Sequence, residues 1–476
     1  MISDTVAEDG IHGPLPGRCC FFVERKKRYC KMLVAKGKRL CGEHANSDET
    51  TEGEDCRKRI PCPLDAKHTV FEHNLEKHLK KCNSREKPKP VFYVCNINSG
   101  FDGLPGTQED QVPISSLSKE ELEMLIRTLK KATSGLNCKL KEQILSHEAL
   151  QDALNDPKNG DSALKHLHQQ SSLLGNMDHL GLLGPNRCFV EFGAGRGKLS
   201  HWIDIALQEA SNVHFLLVER ATTRFKVDGK HRNASTVFER LHIDIQHLAL
   251  SKVPILEKGD LAVVGIGKHL CGAGTDLALR CLFESSQVTD LETDREPAMK
   301  RLKTDSTSDV HRGESAVSEF TDVHVNRNSI PVIGVAVALC CHHRCDWSHY
   351  VGKEYFASLG LGCKEFSFFQ RMSSWATCGM RRPPAEGVTS DGGITEQTDV
   401  EEHDQEGELQ PSLSDSLEGC LTVEERENIG HLCKLLIDYG RTEYIKQKGY
   451  SAALQYYTKP SISLENVLLT AVPKDA

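Results

Sequence analysis

The sequence has 476 residues, more than one compact domain normally holds, so we expect a catalytic-size domain with smaller modules beside it. The formal net charge of −8 argues against nucleic-acid binding if the charge is uniform, and the longest apolar run, 330–341, is too short for a membrane span. The first ten residues lack the basic and apolar regions of a secretory signal. We therefore expect a soluble intracellular protein of the nucleus, the cytoplasm or both.

The charge is not uniform along the chain. Residues 18–95 contain 19 Lys and Arg against 11 Asp and Glu, whereas residues 383–418 contain 11 acidic residues and none that is basic. An acidic segment therefore masks a basic N-terminal module in the total charge. The basic run 25–28 lies close to Phe21, Phe22 and Tyr29, which suits contacts to phosphates and stacking on bases, although a solvated charged face has the same composition.

The first candidate metal site lies within a predicted module at 15–46. This region has too little aliphatic content for a hydrophobic core of its own, so metal binding would have to stabilise it. The spacing C-x10-C-x10-C-x2-H offers the four cysteine and histidine ligands that Zn²⁺ binds as a tetrahedron, and Cys20 is an alternative first ligand. The predicted ligands are Cys19, Cys30, Cys41 and His44.

A second candidate metal site lies within a predicted module at 56–85. Its spacing is C-x5-H-x9-H-x3-C, and the last two ligands, four residues apart, are expected to share one face of a helix. His73 and Cys56 fall outside this pattern and are interpreted as surface or structural residues. The predicted ligands are Cys62, His68, His78 and Cys82. We expect two small zinc fingers, each with one structural ion.

A helical connector is predicted at 115–155, because Ser118 and Glu121 form a capping box before apolar residues at helical spacing. From 160 to 476, strand-like and helical segments alternate, which is typical of parallel βαβ units. Polar stretches near 285–328 and 383–418 interrupt this alternation and are predicted to be disordered insertions. Strand-like segments are predicted at 188–192, 213–219, 260–267, 330–341, 363–369, 452–458 and 466–472, with helices at 198–210, 275–283 and 422–439.

A glycine-rich loop follows the first of these strands and precedes a helix. Glycine at such a turn lets the backbone approach a nucleotide-like ligand. The GxGxG pattern lacks the third glycine of a dinucleotide fingerprint, since Lys198 stands there, and the acidic Glu191 suits an ammonium better than a pyrophosphate. We interpret the loop as a site for S-adenosylmethionine; an ordinary strand-to-helix turn is the alternative. The predicted loop residues are Glu191, Gly193, Gly195 and Gly197.

Two further carboxylates are expected to complete the cofactor site. Glu219 ends the next strand, where its carboxylate can accept hydrogen bonds from both ribose hydroxyls. Asp244 is placed to meet the adenine end, although a surface role is equally consistent with its position.

Two clusters of reactive side chains follow the fourth and fifth strands, where ligands bind in open α/β sheets. If the acceptor is a ribose hydroxyl, its proton needs a general base, for which His269 and His343 are candidates with Lys268 in support. If the acceptor is a pyrimidine C5, a cysteine nucleophile is needed, for which Cys271 or Cys341 would serve. Structural packing is the alternative for each of these residues.

The second cluster also contains enough ligand side chains for a third metal site. Adjacent residues of a strand end point in diverging directions, so one site that uses all of them is awkward. The residues concerned are Cys340, Cys341, His342, His343 and Cys345. Nearby, Arg371 could clamp a phosphate or pair with an internal carboxylate, and the sequence does not choose.

The combination and order of these motifs resemble one known family. The motifs are CFFVERKKRYC with CGEH, CPLDAKH with HLKKC, KHLHQQSSLLGN, VEFGAGRGKLS, KHLCGAGTDLALRCL and ALCCHHRCDW. Together they are similar to the eukaryotic tRNA 2′-O-methyltransferases that modify the fourth nucleotide of the acceptor stem. The resemblance covers nearly the whole chain.

The resemblance implies an α/β fold, namely a class I Rossmann-like methyltransferase domain behind two zinc fingers. It implies transfer of a methyl group from S-adenosylmethionine to a ribose oxygen of tRNA, on tRNAs such as those for glycine, proline and histidine. It also favours Cys19 over Cys20 as the first zinc ligand. The alternatives are an RNA base methyltransferase with a cysteine nucleophile and a zinc-stabilised RNA-binding adaptor without catalysis.

Overall fold

A computed structural model describes most of the chain as two compact units, 1–89 and 90–476. The residues it describes are 13–24, 28–34, 37–41, 44, 59–82, 84–85, 88–100, 112–221, 236–284, 330–378 and 421–474. The two predicted insertions, and most of the basic run 25–28, lie outside these residues. Among the helices described, none is long and apolar enough to cross a membrane.

The first unit contains short antiparallel pairs of strands. Strand β1, Phe22–Val23, pairs with β2, Arg28–Tyr29, and strand β3, Arg59–Cys62, pairs with β4, Asp65–Phe71. Helix α1, Leu75–Leu79, follows β4. The second of these pairs and its helix form a ββα unit around the predicted second metal site.

The second unit is built on a mixed sheet of eight strands over the described ranges. The strands are β5 Lys141–Glu142, β6 Arg187–Phe192, β7 Val213–Glu219, β8 Thr236–His242, β9 Ala262–Gly267, β10 Val332–Leu339, β11 Tyr450–Tyr456 and β12 Val467–Pro473. Their order in the sheet is β5-β11-β12-β10-β9-β6-β7-β8. Strands β10, β9, β6, β7 and β8 run parallel, whereas β12 is antiparallel to both β10 and β11.

Helices cover both faces of this sheet. Alternate residues of β6 enter opposite cores. Val190 packs with the helices Pro254–Glu257, Gly274–Phe283 and Val423–Gln447, whereas Phe189 packs with Asp161–His179 and Lys198–Ala206. Burial on both faces is typical of parallel strands with crossover helices. The helices are α2 Lys119–Thr133, α3 Gln151–Leu154, α4 Asp161–His179, α5 Lys198–Ala206, α6 Pro254–Glu257, α7 Gly274–Phe283, α8 Lys353–Ser358, α9 Cys363–Met372, α10 Trp375–Cys378 and α11 Val423–Gln447.

Most of the predicted elements are present, but several differ from the prediction or were not predicted, among them strand β5 and helices α4, α6, α8 and α10. The segment 363–369 is not a strand but the start of helix α9, because Phe366, Phe369 and Met372 recur every three residues and pack into a helical core. Helix α11 continues to Gln447, eight residues past its predicted end. Strand β8, at the edge of the sheet, was not predicted.

The predicted helical connector packs within the second unit. The Ser118 hydroxyl accepts a hydrogen bond from the Glu121 amide, and the Glu121 carboxylate accepts one from the Ser118 amide, so the predicted capping box is present. Helix α2 shares a core with α8, α9 and α11. Arg371 donates to the carbonyl of Val112, 2.7 Å away, and to that of Ser367, so it holds the chain before α2.

A buried ionic network ties α7, α11 and the loop after β10 together. The guanidinium of Arg441, 1% exposed, donates to both carboxylate oxygens of Asp276 and to Asp438, over distances of 2.7 to 3.2 Å. Asp438 in turn lies 2.8 Å from Nε2 of His342. Burial opposes ionisation of Asp438, but His342 and Arg441 hold the pKa of its carboxyl below the usual value.

Candidate functional site

The glycine loop lies at the carboxyl end of β6, in the middle of the parallel strands. The crossovers after β6 lead in opposite directions, to β7 on one side and eventually to β9 on the other, and ligands bind in the crevice at such a switch point. Gly193, Gly195 and Gly197 have φ angles of +60°, +48° and +70°, in the left-handed region that favours glycine. Helix α5 begins directly after Gly197.

Glu191 is buried under this loop and braces it against the start of α5. Its carboxylate accepts hydrogen bonds from the backbone amide and the hydroxyl of Ser200. Burial disfavours the ionised carboxylate and raises its pKa to about 7, although both bonds from Ser200 and the charges of Arg240 and Lys268 oppose the rise. Near neutral pH, Glu191 is therefore poised to ionise in response to a nearby cation.

The raised pKa of Glu191 predicts a pH-dependent stability. The pKa of this carboxyl is about 7 in the folded chain, whereas in the unfolded chain it returns to its usual value of 4.5. Between these values the folded chain binds more protons, so the free energy of unfolding falls by about 3 kcal/mol as the pH rises. We expect Glu191→Gln to lack this decrease. Urea unfolding of both proteins at pH 5 and pH 8 measures the change in the free energy of unfolding between the two pH values. An equal change in wild type and Glu191→Gln would contradict the assignment.

Glu219 and Arg240 hold the outer side of the loop. The Glu219 carboxylate accepts hydrogen bonds from the amides of Gly195, 3.0 Å away, and Ala221, 2.9 Å away. Arg240, on β8, donates to the carbonyl of Gly195 over 2.8 Å. The structure thus brings Glu219 to the glycine loop, as its position at the end of β7 predicts. Arg240 was missed because β8 was not predicted.

Asp244 lies at the start of a short 3-10 turn after β8. One of its oxygens accepts a hydrogen bond from the amide of Gln246, and the other lies 3.6 Å from the guanidinium of Arg220. Asp244 is half-buried and its contacts are local.

Lys268 and His269 lie on the loop after β9, next to the glycine loop. A β-carbon on Gly193 would lie 3.3 Å from the carbonyl of His269, so the two loops are in contact. The ammonium of Lys268, largely buried, lies 2.9 Å from Nδ1 of His166, and the His166 ring meets that of His269 edge to face at 6.4 Å. His166, on α4, lies in the stretch KHLHQQSSLLGN and was not predicted as a site residue.

His343 lies on the neighbouring loop after β10. Burial lowers the pKa of its imidazole, so the ring is neutral at pH 7, as a general base must be. Gln370 donates a hydrogen bond to its carbonyl and so fixes the backbone there. The candidate bases His269 and His343 therefore lie on the loops that follow two adjacent parallel strands, β9 and β10.

The five residues weighed for a third metal site do not form one cluster. His342 is buried on Asp438, and the sulfur of Cys345 lies 3.1 Å from Arg441, so both belong to the ionic network. The sulfurs of Cys340 and Cys341 instead lie close to that of Cys271.

In the first unit, the four predicted ligands of the first module converge. The sulfurs of Cys19 and Cys41 lie 3.4 and 3.3 Å from Nδ1 of His44, and the ligand atoms of all four residues, including Cys30, lie within 4.8 Å of one another. The ring of Phe21 stacks on His44, with ring centres 3.9 Å apart. Cys20 is not part of the group.

The predicted ligands of the second module converge in the same way. Their ligand atoms all lie within 4.8 Å of one another, and the distances Cys62–Cys82, His68–His78, Cys62–His78 and His68–Cys82 are 3.1 to 3.8 Å, which suits a tetrahedral zinc ion. Nδ1 of His68 lies 3.6 Å from a carboxylate oxygen of Asp65, the kind of partner that orients a metal-binding histidine. Helix α1 contains His78 but ends at Leu79, so Cys82 returns to the site through the turn that follows.

Metal content tests the second module. We expect His78→Ala to lose about one zinc ion per chain and to unfold the module, because a site of this size takes its folding energy from the metal. His73→Ala is the matched control, since His73 lies in the same module but stacks on Phe71 outside the quartet. Elemental analysis of the purified proteins gives the ratio. Equal zinc in both variants would rule out His78 as a ligand.

Comparison with known proteins gives a consistent result. The family model described as Methyltransferase TRM13 matches residues 168–472, that of the CCCH zinc finger in TRM13 protein matches 17–45, and that of the U11-48K-like CHHC zinc finger matches 59–83. These matches cover the glycine loop and both converging quartets.

Several curated proteins are similar over nearly the whole chain. A mouse protein named "tRNA:m(4)X modification enzyme TRM13 homolog" is 61% identical over 99% of this chain and 98% of its own length. A human protein of the same name is 60% identical over 97% of this chain and 95% of its own length. The Saccharomyces cerevisiae protein "tRNA:m(4)X modification enzyme TRM13" is 29% identical over 96% of each chain. No solved structure gave a significant match. The chain belongs to the methyltransferase TRM13 family, with a CCCH and a CHHC zinc finger before its methyltransferase domain.

Proposed function

We propose that the protein transfers a methyl group from S-adenosylmethionine to the ribose 2′-hydroxyl of the fourth nucleotide in the tRNA acceptor stem. The observation that carries this proposal is the similarity over almost the full length to enzymes named for tRNA modification at m(4)X. The proposed tRNAs are those for glycine, proline and histidine, which follow from the family resemblance alone.

The strand order supports a class I Rossmann-like methyltransferase fold. Five parallel strands are followed by an antiparallel pair, β11 and β12, and the last strand, β12, inserts next to β10. This agrees with the predicted hairpin beside a parallel sheet. In such a fold the cofactor lies across the carboxyl ends of the central strands.

The donor set at the glycine loop fits S-adenosylmethionine. A β-carbon on Gly195 would meet no atom within 4 Å, so this side of the loop is open to a ligand. Glu191 offers a buried carboxylate that an ammonium would ionise, and Glu219 offers acceptors for hydroxyls. S-adenosylmethionine would supply an electrophilic methyl group there. The residues proposed to hold it are Glu191, Gly193, Gly195, Gly197, Glu219 and Asp244.

The neighbouring loops would handle the proton of the acceptor hydroxyl. We assign the general base to His269 or His343, with Lys268 lowering the pKa of the hydroxyl through its charge. Orientation of the hydroxyl would supply much of the rate. Single-turnover methylation at saturating cofactor tests this assignment. We expect a lower single-turnover rate of methylation in either His269→Ala or His343→Ala than in wild type. If both variants keep the wild-type rate, neither residue is the base.

The zinc fingers would bind the tRNA. Residues 18–95 carry an excess of eight positive charges, and Phe71 stacks under Arg59 at 4.7 Å in the second finger. Positive charge and planar groups are the features that bind phosphates and bases. The two zinc ions would be held by Cys19, Cys30, Cys41 and His44 in the first finger, and by Cys62, His68, His78 and Cys82 in the second.

Product analysis tests the reaction class. After transfer of a labelled methyl group, a ribose 2′-O-methyl makes the adjacent phosphodiester resistant to alkali, because the hydroxyl needed for cleavage is blocked. We expect the label in an alkali-resistant dinucleotide. Label in mononucleotides would instead show base methylation, for which Cys271 or Cys341 would be the nucleophile. If no methyl group is transferred and calorimetry detects no binding of S-adenosylmethionine, the protein would instead be a zinc-stabilised RNA-binding adaptor without catalysis.

A further inference from the structure

Three cysteines outside both zinc fingers lie close together at the carboxyl ends of the central strands, next to the candidate active site. Cys271 lies on the loop between β9 and α7, and Cys340 and Cys341 directly follow β10. Because β9 and β10 are adjacent and parallel, their carboxyl ends, and the loops that leave them, lie side by side.

The three sulfurs converge at distances that suit one metal ion. The sulfur of Cys271 lies 3.7 Å from that of Cys340 and 3.2 Å from that of Cys341, and all three lie within 4.8 Å of one another. Two thiolates bound tetrahedrally at the usual zinc–sulfur distance are about 3.8 Å apart. The two cysteine sulfurs of the CHHC finger, Cys62 and Cys82, are separated by 3.8 Å.

An unusual backbone conformation brings the adjacent cysteines together. Consecutive side chains of an extended strand point to opposite sides, which is why one site using all five residues of this cluster is not expected from the sequence. Cys341 has a φ of +51°, in the left-handed region that costs a residue other than glycine about 1 kcal/mol or more. This turn aims both sulfurs at Cys271.

The surrounding groups hold this geometry. The amide of Cys341 donates a hydrogen bond to the carboxylate of Glu465, which is itself paired with Lys434. A β-carbon on Gly272 would lie 2.6 Å from the carbonyl of Arg344, so the two loops are packed directly against each other. The neighbours therefore fix a backbone that would otherwise relax.

We propose that Cys271, Cys340 and Cys341 bind a third zinc ion through three thiolates, and that the fourth coordination position is open to water or a small ligand. Cys340 is buried, whereas Cys271 and Cys341 are half-buried, so one side of the cluster is accessible. Three protein ligands with one open position are typical of zinc sites outside purely structural modules. The ion would fasten the loops after β9 and β10 to each other.

The zinc content of the full-length protein tests this site without reference to methyl transfer. Wild type, purified with reductant and equilibrated with Zn²⁺, is expected to contain three ions per chain by elemental analysis and native mass spectrometry. Cys271→Ser is expected to contain two. Cys138→Ser, the same change at an exposed cysteine outside all three groups, is expected to keep three.

A variant with both fingers disabled, Cys41→Ser with Cys62→Ser, keeps the test valid even if Cys271→Ser fails to fold. We expect it to retain one ion and, after exchange with Co²⁺, to show thiolate-to-cobalt charge-transfer absorption. Two ions in wild type and none in the finger variant would overturn the proposal. So would a Cys271–Cys341 disulfide in peptide mapping of protein with two ions, since it would identify a redox pair instead.

Discussion

Gly195→Ala is expected to weaken binding of S-adenosylmethionine by about a hundredfold, which corresponds to about 2.7 kcal/mol. The reason is steric: a β-carbon at this position meets no protein atom within 4 Å, so it would project into the space where the ligand is proposed to lie. Isothermal titration calorimetry with the purified full-length protein measures the change.

Gly360→Ala is the matched control for this variant. Gly360 also has a positive φ, +72°, and a β-carbon there also meets nothing within 4 Å, but it lies in the turn before α9, away from the glycine loop. Both changes therefore carry a similar backbone strain of about 1–2 kcal/mol, visible as a similar loss of thermal stability. Loss of binding in Gly195→Ala alone supports the assignment. If both variants bind S-adenosylmethionine equally well, the assignment of the glycine loop to the cofactor site is wrong.

Gly197 is unsuitable for the same test. A β-carbon there would lie 2.6 Å from a methyl carbon of the buried Leu217, so alanine would disturb the core as well as the loop. A loss of binding in Gly197→Ala would not separate a contact with the ligand from a general loss of packing.

Arg441→Met is expected to lower the free energy of unfolding by about 3–5 kcal/mol. Arg441 is fully buried and bonds both oxygens of Asp276, so its removal leaves that carboxylate without its counter-ion inside the protein. The change would also remove the bond from Arg441 to Asp438, the residue that pairs with His342 at the start of the loop after β10. Chemical unfolding followed by circular dichroism gives the value.

Lys446→Met, on the same helix, is the control for Arg441→Met. Lys446 pairs with Glu443 over 2.8 Å, but the two side chains are 40% and 37% exposed, so removing this pair should cost less than about 1 kcal/mol. Adding Asp276→Asn to Arg441→Met removes the buried carboxylate that has lost its counter-ion. The free energy of unfolding of the double variant should therefore fall by less than the sum of the decreases in the two single variants. Equal effects of Arg441→Met and Lys446→Met would contradict the role of the buried network.

The sequence predicted those features whose signal is local. Hydrophobic runs identify β6, β7, β9 and β10, and glycine spacing identifies the loop at Gly193–Gly197. The two finger quartets are also local, because fixed spacings bring their ligands together. The prediction of a strand at 363–369 was wrong because phenylalanines are common in buried strands and helices alike. Only the three-residue spacing of Phe366, Phe369 and Met372 indicates a helix.

Features that depend on distant contacts were not predicted. The pairing of Lys268 with His166 joins residues 102 apart, and the bond between Arg441 and Asp276 joins residues 165 apart. The approach of Cys340 and Cys341 to Cys271 depends on a left-handed residue that no sequence pattern marks. Such contacts can be identified only when the strand order and the backbone conformation are known, because the residues involved are far apart in the sequence.

The most direct test of the proposed function uses two synthetic tRNAs that differ only at the fourth nucleotide of the acceptor stem. One has the natural ribose and the other has 2′-deoxyribose there, so that charge, bases and overall shape are otherwise the same. With labelled S-adenosylmethionine and wild-type protein, we predict methyl transfer to the first tRNA and none to the second. Equal transfer to both tRNAs would contradict methylation of that 2′-hydroxyl.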